Sequence, residues 1–413
     1  MDAVPVSVVI VSRGRPEMLA RCLTGVSQLD HPAFEIVVVA CPAGCAAVRG
    51  RPDAAYIRLL PFDRADISTA RNIGIAHAAG EVLAFLDDDA VPEPTWLAHL
   101  CAPFETSGVA AAGGFVRGRN GIDFQWRGRV VTPALEDSDL PVSGSAPVIL
   151  RPEGEAAVKL QGTNMAWRRS ALVALGGFDP AFRFYLDDTD LDLRRHAAGL
   201  AVAIAPLAQV HHGFAPSARR RADRTPTDLT EIGASTAVFL RKHCPENRRQ
   251  AARDRLREEQ LARLLRAERR GRLGKEDRQR LIAGYDLGIA AGSARQVEAG
   301  DGPGAPLAAF RPYPGRPGAA RRVLSGRVWN RRHLRAEAAR LAAAGHIVSL
   351  YRFSMTALYH RVYFRPEGYW EQTGGLWGRS DRDGPLFRAA RLASRVRAEC
   401  ARVTEVRDNP RDR

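Results

Sequence analysis

The chain contains 413 residues, of which 45% are hydrophobic and 26% charged, so it can form two or three compact units with substantial cores. This excludes a short peptide, a small disulfide-stapled domain and a wholly disordered tail. No apolar run approaches the roughly 20 residues that span a bilayer. The N-terminal residues predict a strand and not a signal peptide. Together with six cysteines scattered along the chain, this indicates reduced thiols in the cytosol.

The chain is strongly basic, with a net charge of +15. Clustered cations can bind the phosphates of nucleic acids. Here the surplus is almost entirely arginine, and much of it falls after residue 215 in a polar, helical pattern, where solvated helix faces explain it. We therefore expect no nucleic-acid partner, and we favour an anionic membrane surface over a nucleic acid as the partner of the basic residues.

The first 90 residues alternate between predicted strands and helices. Continuous apolar, β-branched runs predict buried parallel strands at 6–11, 35–39, 56–60 and 82–86. Helical patterns occupy 17–28 and 67–79. This order predicts a doubly wound α/β domain, whose ligand crevice lies beyond the carboxyl ends of its strands. Residues 12–15, 40–41 and 87–89 would surround that crevice.

The rest of the chain is predicted to be more varied. Short β runs fill 110–160, a helix is expected from about Asp187 to Ala198, and charged helices follow from Thr227 to about Ala283. Many Gly and Pro residues at 292–318 predict a linker, and a small β-α-β unit follows it. We therefore divide the chain into an α/β domain (1–218), a helical extension (219–290), a linker (291–320) and a small α/β domain of unknown role (321–413).

Three adjacent aspartates, Asp87, Asp88 and Asp89, follow the fourth predicted strand. Like charges at the edge of a sheet raise one another's pKa values and favour a neutralising cation. Carboxylate oxygens are the ligands that hard divalent ions prefer. The alternative is an acidic turn that caps the next helix.

A second acidic cluster has four aspartates within the six positions 187–192. Capping of a helix, and complementarity to its dipole, account for part of this pattern. Four carboxylates exceed that need, and their mutual repulsion would leave one of them able to take a proton from a hydroxyl.

Two further features are ambiguous by themselves. His211 and His212 end a predicted strand, where a histidine is commonly a surface residue, but two nearby aspartate clusters make a histidine metal ligand credible. Arg71 and Asn72 lie in the helix at 67–79, whose apolar residues are explained by packing. An arginine facing the crevice would suit a diphosphate.

Four sequence blocks, in this order, resemble a family 2 glycosyltransferase with a GT-A fold. They are SVVIVSRGRPEMLARCL, STARNIGIAHAAGEVLAFLDDDAVPEPTWL, GTNMAWRRSALVALGGFDPAFRFYLDDTDLDLRRHAAG and VHH, and they cover about residues 4–215. The resemblance implies transfer of a sugar, with inversion, from a nucleotide-diphosphate donor to an acceptor hydroxyl. It also implies a divalent cation, Mn²⁺ or Mg²⁺.

The resemblance implies roles for individual residues as well. Asp87 and Asp89 would bind the metal together with His211, or with His212 in its place, and Asp188, or its neighbour Asp187, would be the catalytic base. The residues expected near the donor are Ser12, Arg13, Asp66, Arg71, Asn72, Asp87 and Asp88. Those expected on the acceptor side are Gly162, Thr163 and Asn164.

The sequence departs from the family pattern in two loops. After the second strand it has VVVACPAGC, so the aspartate expected at Ala40 is absent, and Asp63 or Asp66 would have to supply its contact. The first loop has Ser-Arg-Gly-Arg where a Tyr-Asn pair is common, which leaves the nucleotide open.

Two other classes of protein remain in competition. A nucleotidyltransferase would need a Gly-rich, Lys-bearing phosphate loop near the N-terminus, and none is present there. A degenerate carbohydrate-binding or scaffold protein would release no sugar from a donor.

The acceptor expected for a transferase is a glycan or lipid-linked glycan of the cell envelope, reached from the cytoplasm or from the inner face of the membrane. The aromatic stretch at 357–377 is expected to be core and not a sugar-stacking surface.

Overall fold

The structure is a computed structural model that describes residues 3–213, 215–297 and 304–408. Its largest part is a ten-stranded mixed sheet with helices on both faces. The strands of the chain are β1 (Val6–Ser12), β2 (Phe34–Ala40), β3 (Ile57–Pro61), β4 (Val82–Asp87), β5 (Ala90–Pro92), β6 (Val109–Arg117), β7 (Phe124–Trp126), β8 (Arg129–Val131), β9 (Asp137–Asp139), β10 (Val148–Leu150), β11 (Ala157–Lys159), β12 (Asn164–Arg168), β13 (Ala201–His212), β14 (Arg321–Arg327), β15 (Ile347–Ser354), β16 (Arg361–Phe364) and β17 (Trp370–Gly375).

The helices agree with the predicted positions to within a few residues, except that the last helix of the extension continues well beyond Ala283. They are α1 (Pro16–Val26), α2 (Pro42–Arg49), α3 (Ile67–His77), α4 (Trp96–Cys101), α5 (Arg169–Ala174), α6 (Asp187–Ala197), α7 (Thr230–His243), α8 (Glu246–Arg269), α9 (Lys275–Ala294), α10 (Arg331–Ala343) and α11 (Leu392–Arg407). No helix among the described residues is both long and apolar enough to cross a membrane.

The main sheet has the order β10-β13-β6-β12-β4-β1-β2-β3. The strands β3, β2, β1 and β4 are parallel, whereas β12 lies between β4 and β6 and is antiparallel to both. This confirms the predicted α/β class. The carboxyl ends of β1, β2 and β4 therefore meet at one edge, where the sequence predicted a crevice.

Both faces of the sheet are covered because its central strands carry apolar side chains in both directions. On β1, Val8 and Ile10 join one buried cluster with α1, α2 and α4, and Val9 joins a second cluster with α3, α5 and α6. Alternate residues of a strand point to opposite faces, so a continuous apolar run serves both. Gly74 lets α3 approach closely, since a Cβ there would lie 2.5 Å from Val9 Cγ1.

The helical extension is a bundle of α7, α8 and α9. Glycines bring α7 and α9 together: a Cβ on Gly233 would lie 2.2 Å from the carbonyl oxygen of Tyr285, and one on Gly288 only 2.0 Å from that of Thr230. Buried salt bridges then join α7 to α6, where Lys242 and His243 both lie 2.8 Å from Asp190.

The predicted linker at 291–320 differs from expectation. The helix α9 runs on to Ala294, and the stretch that begins at residue 304 packs along the outer part of the main sheet. Tyr313 donates its backbone N–H to Phe34 and its hydroxyl to Asp53, and the Arg311 N–H binds the buried carboxylate of Glu35. The Gly and Pro residues account for the irregular backbone of this stretch, and the ring of Tyr313 packs against Phe34. The part at 298–303 lies outside the described residues.

The C-terminal unit contains the predicted β-α-β element and extends it. Its sheet has the order β14-β15-β17-β16, in which β16 is the antiparallel strand. This unit packs on the first domain through Val362, Phe364 and Trp370, which form one buried cluster with Val91 and Ile122. The aromatic stretch at 357–377 is thus core in part, although some of its side chains are exposed.

Candidate active site

The three aspartates after β4 lie at the carboxyl edge of the main sheet. In the parallel register, Asp87 lies beside Val11, so the loop that follows β1 faces the aspartates. Asp88 and Asp89 form the turn that leads into β5. The arrangement arises because β1 and β4 are parallel neighbours whose ends meet.

Asp88 is fully buried and holds the loop after β1. Ser12 Oγ donates to Asp88 Oδ2 at 2.7 Å, and Arg15 Nη2 lies 2.5 Å from Asp88 Oδ1. Burial raises the pKa of Asp88 to about 7, and the charge of Arg15 opposes that rise. With no exposed surface, Asp88 is not placed where a donor could touch it.

Asp87, Asp89 and His212 form a group suited to a cation. One ligand atom from each lies within 4.8 Å of the others. Burial tends to raise the pKa of Asp89, but its hydrogen bond with His212 and the charges of His212 and Arg15 hold that pKa below its usual range. Two carboxylates and an imidazole are a donor set that fits Mn²⁺ or Mg²⁺.

The structure places His212, the alternative to His211, beside the aspartates. His211 points away from Asp89, because adjacent residues of β13 face opposite sides of the sheet. Its Nε2 lies 2.8 Å from Glu93 Oε1, and burial lowers its pKa to about 4. The neutral ring therefore donates to Glu93, and His212, which was the second choice, joins the aspartates instead.

Arg71 connects the two acidic clusters. Its buried guanidinium forms an ion pair with Asp187, and its Nη2 lies 3.5 Å from Asp87 Oδ1 and 3.1 Å from the carbonyl oxygen of Gly162. A Cβ on Gly162 would lie 2.5 Å from Arg71 Nη2, so a larger residue there would displace the guanidinium. Burial raises the pKa of Asp187 above its usual range, and the charge of Arg71 opposes that rise.

Asp188 is the more accessible carboxylate at the start of α6. Its Oδ2 accepts the N–H of Gly162 at 2.9 Å, and its Oδ1 accepts the N–H of Thr189 at 2.7 Å. The chain reaches α6 through Tyr185 and Leu186, whose φ angles of 72° and 67° are costly for residues other than glycine. This turn leaves Asp187 buried and Asp188 partly exposed.

Two predicted site residues instead form hydrogen bonds within the fold. Asn72 accepts from and donates to the main chain of Phe178, and so fixes the loop before α6. Asn164 is buried, accepts from Trp96 Nε1 at 2.7 Å, and donates to the carbonyl of Ala208 at 2.8 Å. The structure does not bring either side chain into the crevice.

Three others lie at the margin of the site. Asp66 caps α3 by accepting the N–H of Thr69, Thr163 is 3% exposed, and Arg13 forms a surface ion pair with Asp63. Arg13 was expected near the donor, but Arg15, in the same loop expected at the crevice, is the residue that contacts the aspartates.

A cavity of about 400 Å³ opens beside the start of α6. Tyr185, three residues before Asp188, forms part of its wall, and α8 closes it from outside. Its lining residues are Arg129, Leu135, Glu136, Asp137, Lys159, Tyr185, Arg255, Leu256 and Glu259. Charged and polar walls of this kind suit a hydroxyl-rich ligand.

The chain after His212 passes next to Asp89 and carries arginines. The N–H of Ala215 donates to Asp89 Oδ2 at 2.8 Å, and Arg220 Nη2 donates to the carbonyl of Ala215 at 2.9 Å. Burial and the charges of Arg119 and Arg263 lower the pKa of both Arg220 and Arg224. Cations collected beside the carboxylates suit an anionic ligand.

A mixed α/β sheet with two acidic clusters at its carboxyl edge is the arrangement of a GT-A enzyme. The family model "Glycosyltransferase like family 2" matches residues 4–225, slightly more than half of the chain. The chain therefore belongs to glycosyltransferase family 2.

Similar proteins cover parts of the chain. The succinoglycan biosynthesis protein ExoM of Rhizobium meliloti is 30% identical over 210 residues, which are 48% of this chain and 63% of ExoM. The glycosyltransferase AglE of Haloferax volcanii is 32% identical over 118 residues, 27% of this chain and 39% of AglE. The mannosyltransferase PcManGT of Pyrobaculum calidifontis, solved with GDP-Man and Mn²⁺, is 16% identical with a TM-score of 0.40 and matches 71% of this chain and 88% of its own.

Proposed function

We propose that the protein transfers a sugar, with inversion, from a nucleoside diphosphate donor to a hydroxyl of a glycan or lipid-linked glycan. The observation that supports this most is the double contact of Arg71 with Asp87 and Asp187. This contact supports a single crevice for the metal ligand Asp87 and the base Asp188, the neighbour of Asp187, as a single-displacement reaction needs.

In this proposal Asp87, Asp89 and His212 hold a divalent cation, Mn²⁺ or Mg²⁺. A bound cation supplies charge that makes a diphosphate a better leaving group. Around it, Arg15 keeps Asp88 and Asp89 in position. The arginines that follow Ala215 add positive charge where the phosphates would lie.

Asp188 is the proposed base. Its carboxylate takes the proton of the acceptor hydroxyl while the acceptor oxygen forms a bond to the anomeric carbon and the bond to the diphosphate oxygen breaks. The N–H groups of Gly162 and Thr189 orient the carboxylate, and Arg71 keeps its neighbour Asp187 turned away. The cavity beside Tyr185, three residues before Asp188, is the proposed place for the acceptor.

The cellular setting is proposed on the same basis. ExoM takes part in succinoglycan biosynthesis by its name, and the chain spans 63% of that protein. We propose a comparable place in the synthesis of a cell-envelope polysaccharide, with the enzyme in the cytoplasm, at the inner face of the membrane.

The test is a screen of nucleotide-sugars. Thermal unfolding in the presence of Mn²⁺ should select the donors that raise the midpoint. A selected donor should then release free sugar slowly without acceptor, and the release should stop with a chelator. Stabilisation by no donor, together with no sugar release, would favour a scaffold or carbohydrate-binding protein.

A further inference from the structure

Apolar side chains are exposed on loops at one edge of the C-terminal sheet. Because β14, β15 and β17 are parallel, their carboxyl ends lie together. The loops there carry six large apolar residues that are 47–70% exposed, which we call the loop-tip patch: Trp329, Met355, Leu358, Tyr359, Leu386 and Phe387.

Hydrogen bonds hold these loops next to one another. The Gly375 N–H binds the carbonyl of Leu358 at 2.9 Å, and the Arg388 N–H binds that of Trp377 at 2.9 Å. The rings of Trp377 and Phe387 are 6.0 Å apart. The loops after β15 and β17 therefore form one surface, and Trp329 follows the neighbouring parallel strand β14 at the same edge. Apolar residues scattered singly would need no explanation.

The same loops are strongly basic. Residues 328–332, 354–361 and 378–391 contain seven arginines and two aspartates. The arginines are Arg331, Arg332, Arg361, Arg379, Arg382, Arg388 and Arg391. Arg379 lies over the ring of Tyr359 at 4.8 Å, so cations and exposed aromatic rings are mixed at the tip.

A line of contacts leads from the patch to the candidate active site. Arg382 pairs with Asp123 at 3.0 Å, and the Val362 N–H binds the carbonyl of Asn120 at 2.8 Å. From the same loop, Arg119 donates to the carbonyl of Ala222, in the segment that passes Asp89. The loop after β6 thus connects the patch to the arginines beside the carboxylates.

We propose that the loop-tip patch docks the protein onto an anionic bilayer. Aromatic and aliphatic side chains on loop tips enter the region between headgroups and acyl chains, and surrounding arginines bind anionic headgroups. The surplus of five positive charges favours a lipid surface over a neutral protein partner. The inference goes beyond the proposed transfer reaction, and its test does not need catalysis.

The experiment measures binding of the full chain to vesicles by co-sedimentation. Vesicles of phosphatidylcholine with an equal part of phosphatidylglycerol should bind the protein, and vesicles of phosphatidylcholine alone should bind it at least about tenfold more weakly. The triple variant Trp329→Ser, Leu386→Ser, Phe387→Ser should lose about tenfold or more. Its control is Leu287→Ser, an equally exposed leucine on α9, which should bind like the unchanged protein.

Charge is tested in the same assay. Arg331→Gln with Arg388→Gln should weaken binding by about fivefold per arginine, and Arg269→Gln with Arg270→Gln at the end of α8 should weaken it much less. Equal losses for the two pairs, no loss for the triple variant, or no binding to either vesicle would overturn the proposal. So would a dimer in sedimentation that the triple variant dissociates, because the patch would then bind a second copy. Donor hydrolysis by the same variants reports separately on the transfer reaction.

Discussion

Arg71 has a larger role in the site than its helix context indicates. Asp87 and Asp187 would repel each other across the crevice, and the buried guanidinium between them offsets that repulsion. A buried charge network of this kind is costly to form and costly to break. We therefore propose that Arg71 positions both acidic clusters, and its expected place near the donor diphosphate stays a prediction.

Asp188 should be needed for transfer and not for donor binding. We expect Asp188→Asn to lower the transfer rate by about 100-fold or more, since an amide cannot accept the proton. Donor affinity, measured by calorimetry, should change little. The control is Asp139→Asn, a highly exposed aspartate that should keep full activity. Donor binding lost along with transfer would assign Asp188 a structural role.

The two histidines should separate metal binding from stability. We expect His212→Ala to weaken Mn²⁺ binding more than about tenfold, as loss of a ligand would. His211→Ala should leave Mn²⁺ affinity almost unchanged and lower the free energy of unfolding by about 1–3 kcal/mol, because it leaves Glu93 short of a donor. Electron paramagnetic resonance of Mn²⁺ and urea unfolding measure the two quantities. The reverse pattern would restore His211 as the ligand.

Among the elements, α11 connects the C-terminal unit to the first domain. Arg407, in the last turn of α11, binds Glu93 after β5 through two hydrogen bonds of 2.7 and 3.0 Å, and also donates to Ser349 of β15. Glu93 in turn accepts from His211, the neighbour of His212. The C-terminal unit therefore supports the strand that carries a candidate metal ligand.

Removal of that ion pair should be strongly destabilising. We expect Arg407→Met to lower the free energy of unfolding by about 3–5 kcal/mol, because it leaves the buried Glu93 carboxylate without its cation. Urea unfolding measures the change. Arg322→Met, an exposed arginine on β14, should cost less than about 0.5 kcal/mol. A loss below about 1 kcal/mol for Arg407→Met would mean that the two units are held together by other contacts.

The strands and helices of the first domain were largely predictable because their patterns are local. The runs that became β1, β2 and β4 are mostly apolar, and the two acidic clusters fall at the end of β4 and at the start of α6. From those ends the common edge of parallel strands follows without further information.

Other features depend on contacts that the local sequence does not contain. The choice of His212 over His211 depends on the register of β13 against β5, and the packing of Tyr313 on Phe34 joins residues 279 positions apart along the chain. Asn164 was expected on the acceptor side because of the family resemblance, yet its partners Trp96 and Ala208 come from distant elements. Pattern alone cannot tell a buried polar network from a binding site.

For the molecule as a whole, two buried aspartates of α6 should change the free energy of unfolding with pH in opposite directions. Burial tends to raise the pKa of Asp190, but the hydrogen bond with His243 and the charges of Arg194 and Lys242 hold it below its usual range. Burial raises the pKa of Asp192 to about 8, and Arg195 opposes that rise. An unfolded aspartate titrates near about 3.9.

The sign follows from proton binding in the two states. Asp190 stabilises the fold above pH of about 4, and that stability is lost as the pH falls below it, since the unfolded chain takes up the proton first. Asp192 acts in reverse: the folded chain keeps a proton that the unfolded chain loses, so stability falls as the pH rises from about 4 to about 8.

We therefore expect Asp190→Asn to flatten the acid side of the curve of unfolding free energy against pH, and Asp192→Asn to flatten the part between about 4 and 8. Urea unfolding over a series of pH values measures both, and each variant serves as the control for the other. Identical changes in the two variants would contradict the assignment.

The most direct measurement is X-ray anomalous scattering from crystals soaked with Mn²⁺ and a nucleoside diphosphate. We expect a manganese peak bound by Asp87, Asp89 and His212, with the diphosphate facing the arginines after Ala215 and the Asp188 carboxylate across the same crevice. A manganese ion bound elsewhere, or a diphosphate on the far side of the sheet from Asp188, would contradict a single transfer site.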